Sequence, residues 1–151
     1  MPDMKNGKGL PGRWLSVIVL VVLAMGLLSS SASAYSIDVQ NPYPTKLFVA
    51  IVDYEDEAGT WRVQGWFTVE PLSTKRINRP SSTEKNSVYL YVYSSEASWS
   101  GAGIASSVVY TVIGNAFKYY QGQSCPAGPK RRQVHFAKYQ LEDGFLYWTP
   151  E

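Results

Sequence analysis

The sequence predicts an all-β protein, a small antiparallel β-sandwich or partly open barrel of about seven or eight strands, preceded by a helical signal peptide. The chain has 151 residues, and after position 35 no long stretch repeats its apolar residues with helical periodicity. Short runs rich in Val, Ile and Tyr are instead separated by Gly, Pro, Asn and Ser. All 11 tyrosines lie in residues 35–151, and such a composition favours strands.

The first 34 residues are typical of a secretory signal peptide. A start with three basic residues precedes an apolar run from Trp14 to Leu28, and the small residues 32–34 predict cleavage before Tyr35. An uncleaved membrane anchor is the alternative, but the run is about 15 residues long where a spanning helix needs about 20. We therefore expect an exported protein, periplasmic or extracellular, with residues 35–151 as a single β domain.

The charge of that domain limits its partners. The leader removes three basic residues and one acidic residue from totals of 14 and 12, which leaves 11 of each. A neutral exported domain is a poor candidate for binding nucleic acid, and contact with a membrane is expected only through an uncleaved signal segment.

The first predicted strands are Ser36 to Gln40 and Lys46 to Tyr54, with the turn 41–44 between them. The second strand has apolar residues at both its odd-numbered and its even-numbered positions, which predicts that it is covered on both faces. An acidic loop follows, and with Asp53 it gathers four carboxylates. Their spacing does not match a calcium-binding loop, so a solvated loop is preferred and a calcium site is the lesser alternative.

The stretch from Trp61 to Pro71 reads as the central strand. Its apolar members Trp61, Val63, Phe67 and Val69 share one parity, which predicts one apolar face. Trp66 has the wrong parity unless Gly65 marks a β-bulge that shifts the register, and we favour the bulge. A buried Trp66 is the simpler interpretation, and an exposed Trp66 that contacts a ligand is the alternative.

The later predicted strands are separated by turns and short loops. The sequence around Trp99 to Gly103 is a glycine-rich turn, and the apolar tail is expected to dock or to form a last short strand. The predicted strands are Thr74 to Asn78, Ser87 to Tyr93, Ser107 to Ile113, Ala116 to Tyr120, Gln133 to Tyr139, and the tail Phe145 to Trp148.

Aromatic side chains supply the candidate binding residues. Tyr89, Tyr91 and Tyr93 lie on one face of a strand, and each ring offers an apolar face and a hydroxyl to a sugar or peptide. Packing against a neighbouring strand is the simpler interpretation of the row. Together with Trp66 and Trp99, these residues form the predicted contact surface.

Basic residues form two groups that could make a single patch for an anionic partner, although separate solvated turns are the simpler interpretation. The two groups are Lys75, Arg76 and Arg79, and Lys130, Arg131 and Arg132.

The chain has one cysteine, Cys125, so the domain cannot form an internal disulfide. The thiol is a buried inert group, an exposed one, or half of an intermolecular bridge.

Catalytic chemistry has little support in the sequence. There is one histidine, His135, and no serine in a nucleophile-elbow motif. Glu70, Glu96 and Glu142 are possible glycosidase carboxylates, but any domain of this size contains some glutamates. One histidine and one cysteine cannot complete a tetrahedral metal site. No catalytic residue, metal or cofactor is predicted.

Three motifs together resemble a known bacterial family, catalogued as domain of unknown function 1036. They are W-R-V-Q-G-W-F-T-V-E-P at 61–71, V-Y-L-Y-V-Y-S-S-E-A-S-W-S-G at 88–101, and A-F-K-Y-Y-Q-G-Q-S-C at 116–125 with a later V-H-F. The resemblance covers about residues 36 to 145 and implies an exported bacterial protein without an established activity. Members usually carry several cysteines, and this chain departs from them with Gln40 and Thr74 at or near two of those positions.

The function expected from the sequence is a non-catalytic binding module of the cell envelope, whose partner is a protein or an envelope glycan. A small envelope hydrolase is the alternative.

Overall fold

A computed structural model describes residues 34–80 and 85–151, and the predicted signal segment before Ala34 lies outside them. Within these ranges no helix has the length and apolar character needed to cross a bilayer. The all-β prediction is confirmed, because the described residues form ten strands in two sheets. The strands are β1 (Tyr35–Asn41), β2 (Leu47–Glu55), β3 (Thr60–Val69), β4 (Ser73–Arg79), β5 (Ser87–Tyr93), β6 (Ser98–Trp99), β7 (Val108–Val112), β8 (Phe117–Tyr120), β9 (Arg132–Gln140) and β10 (Phe145–Trp148).

The smaller sheet has three strands in the order β10-β1-β4. The predicted tail strand is β10, and it pairs with β1 in parallel, with Val39 opposite Trp148. This pair departs from the predicted antiparallel sandwich. No hairpin joins β10 to β1, so the direction of β10 is not set by a tight turn.

The larger sheet runs β7-β9-β5-β2-β3-β8, and the short β6 pairs with β5. The sheet curls until its two edge strands approach each other. Tyr119 on β8 donates a hydrogen bond to the Thr111 carbonyl on β7 over 2.7 Å. The fold therefore combines a sandwich with a partly open barrel.

The predicted bulge at Gly65 is confirmed. Val49 pairs with Phe67 and Ala50 pairs with Gly65, so Trp66 is the extra residue on β3. A Cβ atom at Gly65 would lie 3.1 Å from the Cβ of Ala50 and 3.0 Å from the Phe117 ring, which leaves little room for a larger residue.

The bulge corrects the predicted apolar face of β3. The four apolar residues do not share a face, because one extra residue exchanges the two faces of the strand after Gly65. Trp61 and Val63 lie inside the curl of the larger sheet, whereas Phe67 and Val69 lie between the two sheets.

Two apolar cores result, one between the sheets and one inside the curl. Strand β2 contributes to both, with Val49 and Ile51 in the first and Ala50 and Val52 in the second. The prediction that this strand is covered on both faces is confirmed.

Candidate functional site

An open groove lies at one end of the sandwich. It has a volume of about 530 Å³ and runs between β6, the end of β9 and β10. We call it the aromatic groove. It is lined by Ser98, Trp99, Ser100, Ile104, Ala137, Tyr139, Tyr147, Trp148, Thr149 and Glu151.

Trp99 is held in place on three sides. Its ring stacks on Tyr43 with centroids 5.7 Å apart, and it meets the ring of Trp148 edge-on at 6.1 Å. Its indole nitrogen donates a hydrogen bond to the backbone carbonyl of Glu151 over 3.3 Å. This wall of the groove is therefore formed before any ligand arrives.

Tyr147 gives the groove an exposed ring. Its side chain is 53% exposed, whereas Trp148, the next residue, is only 5% exposed. The alternation of strand β10 produces this difference, since one side chain points outward and the next into the core. The Tyr147 hydroxyl donates a hydrogen bond to Gln40, which fixes the ring.

The tyrosine row lies elsewhere, inside the curl of the larger sheet. Tyr91 is buried there, and Tyr89 and Tyr93 are partly buried against the same core. Trp66 meets Tyr93 edge-on at 4.9 Å and Phe117 at 5.5 Å. Trp66 also donates a hydrogen bond from its indole nitrogen to the carbonyl of residue 113 over 2.8 Å. Of the aromatic residues singled out in the sequence, Trp99 alone lines the groove.

A smaller cavity of about 110 Å³ opens beside the row. Trp61, Tyr89 and Tyr110 form its aromatic walls. Burial raises the pKa of Tyr110, and the neighbouring Tyr89 raises it further. This cavity is too small for more than a fragment of a typical ligand.

The end of the sandwich away from the groove is closed by an ion cluster of Tyr35, Asp53, Arg62 and Arg79. Asp53 is 1% exposed and accepts hydrogen bonds from both arginines. The four nitrogen–oxygen distances lie between 2.6 and 3.0 Å, and the Tyr35 hydroxyl donates to the same carboxylate over 2.9 Å. Arg62 also contacts Glu55, which Lys118 approaches over 3.9 Å.

Asp53 stays ionised in this cluster. Burial by itself would raise its pKa, but the hydrogen bonds and charges of Arg79 and Arg62 outweigh burial and lower the pKa. Burial and the Asp53 carboxylate raise the pKa of Tyr35, which keeps that hydroxyl neutral. The carboxylate that the sequence grouped with an acidic loop is thus a buried partner of two arginines.

The basic residues do not all lie on the surface. Arg79 is buried in the ion cluster, while Lys75 and Arg76 are exposed on the same strand, β4. Arg76 binds Asp38 through two hydrogen bonds of 2.7 Å. The second group, Lys130, Arg131 and Arg132, lies at the start of β9 in the other sheet.

Cys125 is buried and free. Burial raises its pKa, so the thiolate form is disfavoured. The neighbouring Tyr119 has a pKa raised to about 12, first by burial and then by Cys125. These surroundings match the inert thiol among the three alternatives that the sequence left open.

His135 is exposed on β9, and its Nδ1 lies 3.4 Å from the hydroxyl oxygen of Ser107. The contact is long, and both atoms are open to water. Among residues 34–80 and 85–151, no three His, Cys, Asp or Glu side chains are grouped so that they could hold a metal ion.

Sequence reasoning missed most of the groove. Four residues of the groove were not predicted as site residues: Ile104, Tyr139, Tyr147 and Trp148. The apolar tail F-L-Y-W at 145–148 did indicate a segment that packs on the domain. The tail was expected to dock, but the site that it completes depends on its pairing with β1.

Comparisons with known proteins add no further identification. No protein-family model, no curated protein and no solved structure matches the chain.

Proposed function

We propose that this is an exported bacterial protein whose signal segment is removed before Tyr35 and whose β domain binds a cell-envelope partner, a protein or a glycan, without catalysing a reaction. Membership of the domain of unknown function 1036 family is part of the proposal, and it rests on the three sequence motifs. A nucleic-acid partner is not proposed, because the domain is neutral.

The aromatic groove is the observation that carries the binding proposal. It combines a volume of about 530 Å³ with a rigid Trp99 and a Tyr147 that is 53% exposed. Volumes of roughly 300 to 1,000 Å³ and linings of aromatic rings with a few polar groups are typical of ligand sites. A ring fixed before binding loses little entropy when a ligand arrives.

Export and processing are tested by expressing the full untagged chain in a bacterium and weighing the exported product by mass spectrometry. A mass that corresponds to a chain starting at Tyr35 supports the proposal. A product that retains the leader in the membrane fraction contradicts the cleavage.

Binding is tested by sedimenting the exported protein with an insoluble envelope fraction. The variant Tyr147→Ala should lose co-sedimentation, whereas Val109→Ala should behave as wild type. Val109 is a matched control, because it is 47% exposed and lies on β7 outside the groove. Equal sedimentation of both variants and wild type would exclude the groove as the binding surface.

A further inference from the structure

We propose that the ligand of the aromatic groove is a neutral oligosaccharide with a length of a few pyranose rings. This inference rests on the proposed function, since it names the class of molecule that the same groove takes.

The aromatic rings of the groove suit sugar rings. A pyranose has an apolar face of C–H groups, and it packs on an aromatic ring whose face is open and fixed. Tyr147, which is 53% exposed and hydrogen-bonded to Gln40, offers such a ring at the rim. Trp99 has one face stacked on Tyr43 and contacts Trp148, so it contributes a fixed aromatic wall and not a second open face. Ile104, which is 48% exposed, adds an apolar contact on the loop side.

The polar lining suits the rim of hydroxyls around a sugar ring. Ser98, Ser100 and Thr149 contribute hydroxyls that both donate and accept hydrogen bonds. Glu151 contributes a carboxylate, which accepts hydrogen bonds from sugar hydroxyls. A few polar groups of this kind orient a ligand that the rings hold.

The charge of the lining selects against anionic ligands. Among the described residues that line the groove, none is Lys or Arg, and Glu151 is the one acidic member. A phosphate, a sulfate or a uronic acid would meet a carboxylate and no cation to balance it. Arg76 on β4 reaches across β1, so that its guanidinium lies 5.7 Å from the ring centre of Phe145 on β10, but its charge is paired with Asp38. An uncharged oligosaccharide meets no such repulsion.

The shape of the groove agrees with an oligosaccharide rather than a monosaccharide. A site of about 530 Å³ that is open to solvent lies within the usual range for ligands larger than a single small ring. An extended peptide is the rival occupant, and strand addition would place it on the outer edge of β10. That edge has only four residues, and Phe145 already pairs there with Glu142, so it offers few main-chain hydrogen bonds.

The test uses the exported protein and three neutral probes, triacetylchitotriose, cellotriose and maltotriose, with trigalacturonate as the anionic comparison. Binding is followed by ligand-observed saturation-transfer NMR and by calorimetry. At least one neutral probe should bind, and trigalacturonate should bind more weakly. The variant Tyr147→Ala should weaken that binding by about tenfold or more, since it removes the exposed stacking ring at the rim. Val109→Ala should leave it unchanged.

The outcomes separate this inference from the proposed function. Absence of binding to all three neutral probes overturns the inference, as does equal or tighter binding of trigalacturonate. If envelope co-sedimentation still depends on Tyr147 in that case, the groove binds another partner and the proposed function stands. If neither the probes nor the envelope depends on Tyr147, both proposals fail.

Discussion

The two ends of the β-sandwich are closed by different chemistry. At one end the ion cluster surrounds Asp53 with two arginines and a tyrosine, all of them buried. At the other end the rings of Tyr43, Trp99 and Trp148 close the sandwich but leave a groove of about 530 Å³. Charged groups must be fully satisfied once buried, so they hold one arrangement. Aromatic rings can stay half-exposed, so their end of the sandwich can bind.

The largest effect is expected at the ion cluster. Replacing Asp53 with Ala leaves Arg62 and Arg79 buried without their shared partner, and the free energy of unfolding should fall by about 3 to 5 kcal/mol. Asp38→Ala is the control, because Asp38 pairs with the exposed Arg76 and its loss should cost less than about 1 kcal/mol. Urea titration of both variants measures the difference. Equal losses of unfolding free energy in the two variants would show that the buried cluster stabilises the fold no more than an exposed ion pair does.

The same cluster should make stability sensitive to acid. The pKa of Asp53 is lower in the folded protein than in the unfolded chain, so the folded state binds fewer protons. Its contribution is fully present above the ordinary carboxyl pKa of about 3.9 and is lost as the pH falls toward the folded-state pKa. The gap in stability between wild type and Asp53→Ala should therefore shrink as the pH falls below about 4. A gap that does not change over this range contradicts the ionised state of Asp53.

At the groove end, Trp99→Ala should cost about 2 kcal/mol. This figure lies below the 3 to 5 kcal/mol typical of a fully buried tryptophan, because Trp99 is only partly buried. The variant removes one ring from between Tyr43 and Trp148, so thermal unfolding should occur at a lower temperature. A loss as large as that of Asp53→Ala would make Trp99 a core residue and weaken its role as a binding wall.

A substitution at the edge of the curled sheet should lower the free energy of unfolding by less. In Tyr119→Phe the Thr111 carbonyl loses its donor, and the expected loss is about 1 kcal/mol by urea titration. No change would mean that water replaces the hydroxyl and that β7 and β8 are joined more loosely than the hydrogen bond indicates.

The smallest effect on stability is expected from Tyr147→Ala, within about 0.5 kcal/mol, because the ring is largely exposed. The same variant should have the largest effect on binding. A loss of stability above about 2 kcal/mol would contradict a role confined to the groove.

The strands of the fold were largely predictable from the sequence. Apolar residues at both odd and even positions of β2 predicted that this strand is covered on both faces. Gly65, next to a Trp66 that breaks the alternation, predicted the bulge. The consequence of the bulge for Phe67 and Val69 was not foreseen, because parity counted along the chain assumes an unbroken register.

The site was much less predictable. Asp53, Arg62 and Arg79 meet only because β2, β3 and β4 bring residues up to 26 positions apart together. Local patterns therefore grouped the Asp53 carboxylate with the acidic loop that follows its strand, and they assigned Arg79 to the surface. Tyr147 likewise becomes part of a groove only after β10 pairs with β1, and no spacing along the chain encodes that parallel pairing.

The most direct test of the groove compares the indole N–H signals of Trp99 and Trp66 in an NMR titration with triacetylchitotriose, cellotriose and maltotriose, after assignment by single substitutions. The Trp99 indole donates to a carbonyl at the groove, whereas the Trp66 indole donates inside the curl. We expect the Trp99 signal to shift with at least one sugar while the Trp66 signal stays in place. A shift confined to Trp66 would contradict the assignment of the binding surface to the aromatic groove, and no shift at either indole would contradict a neutral oligosaccharide as its ligand.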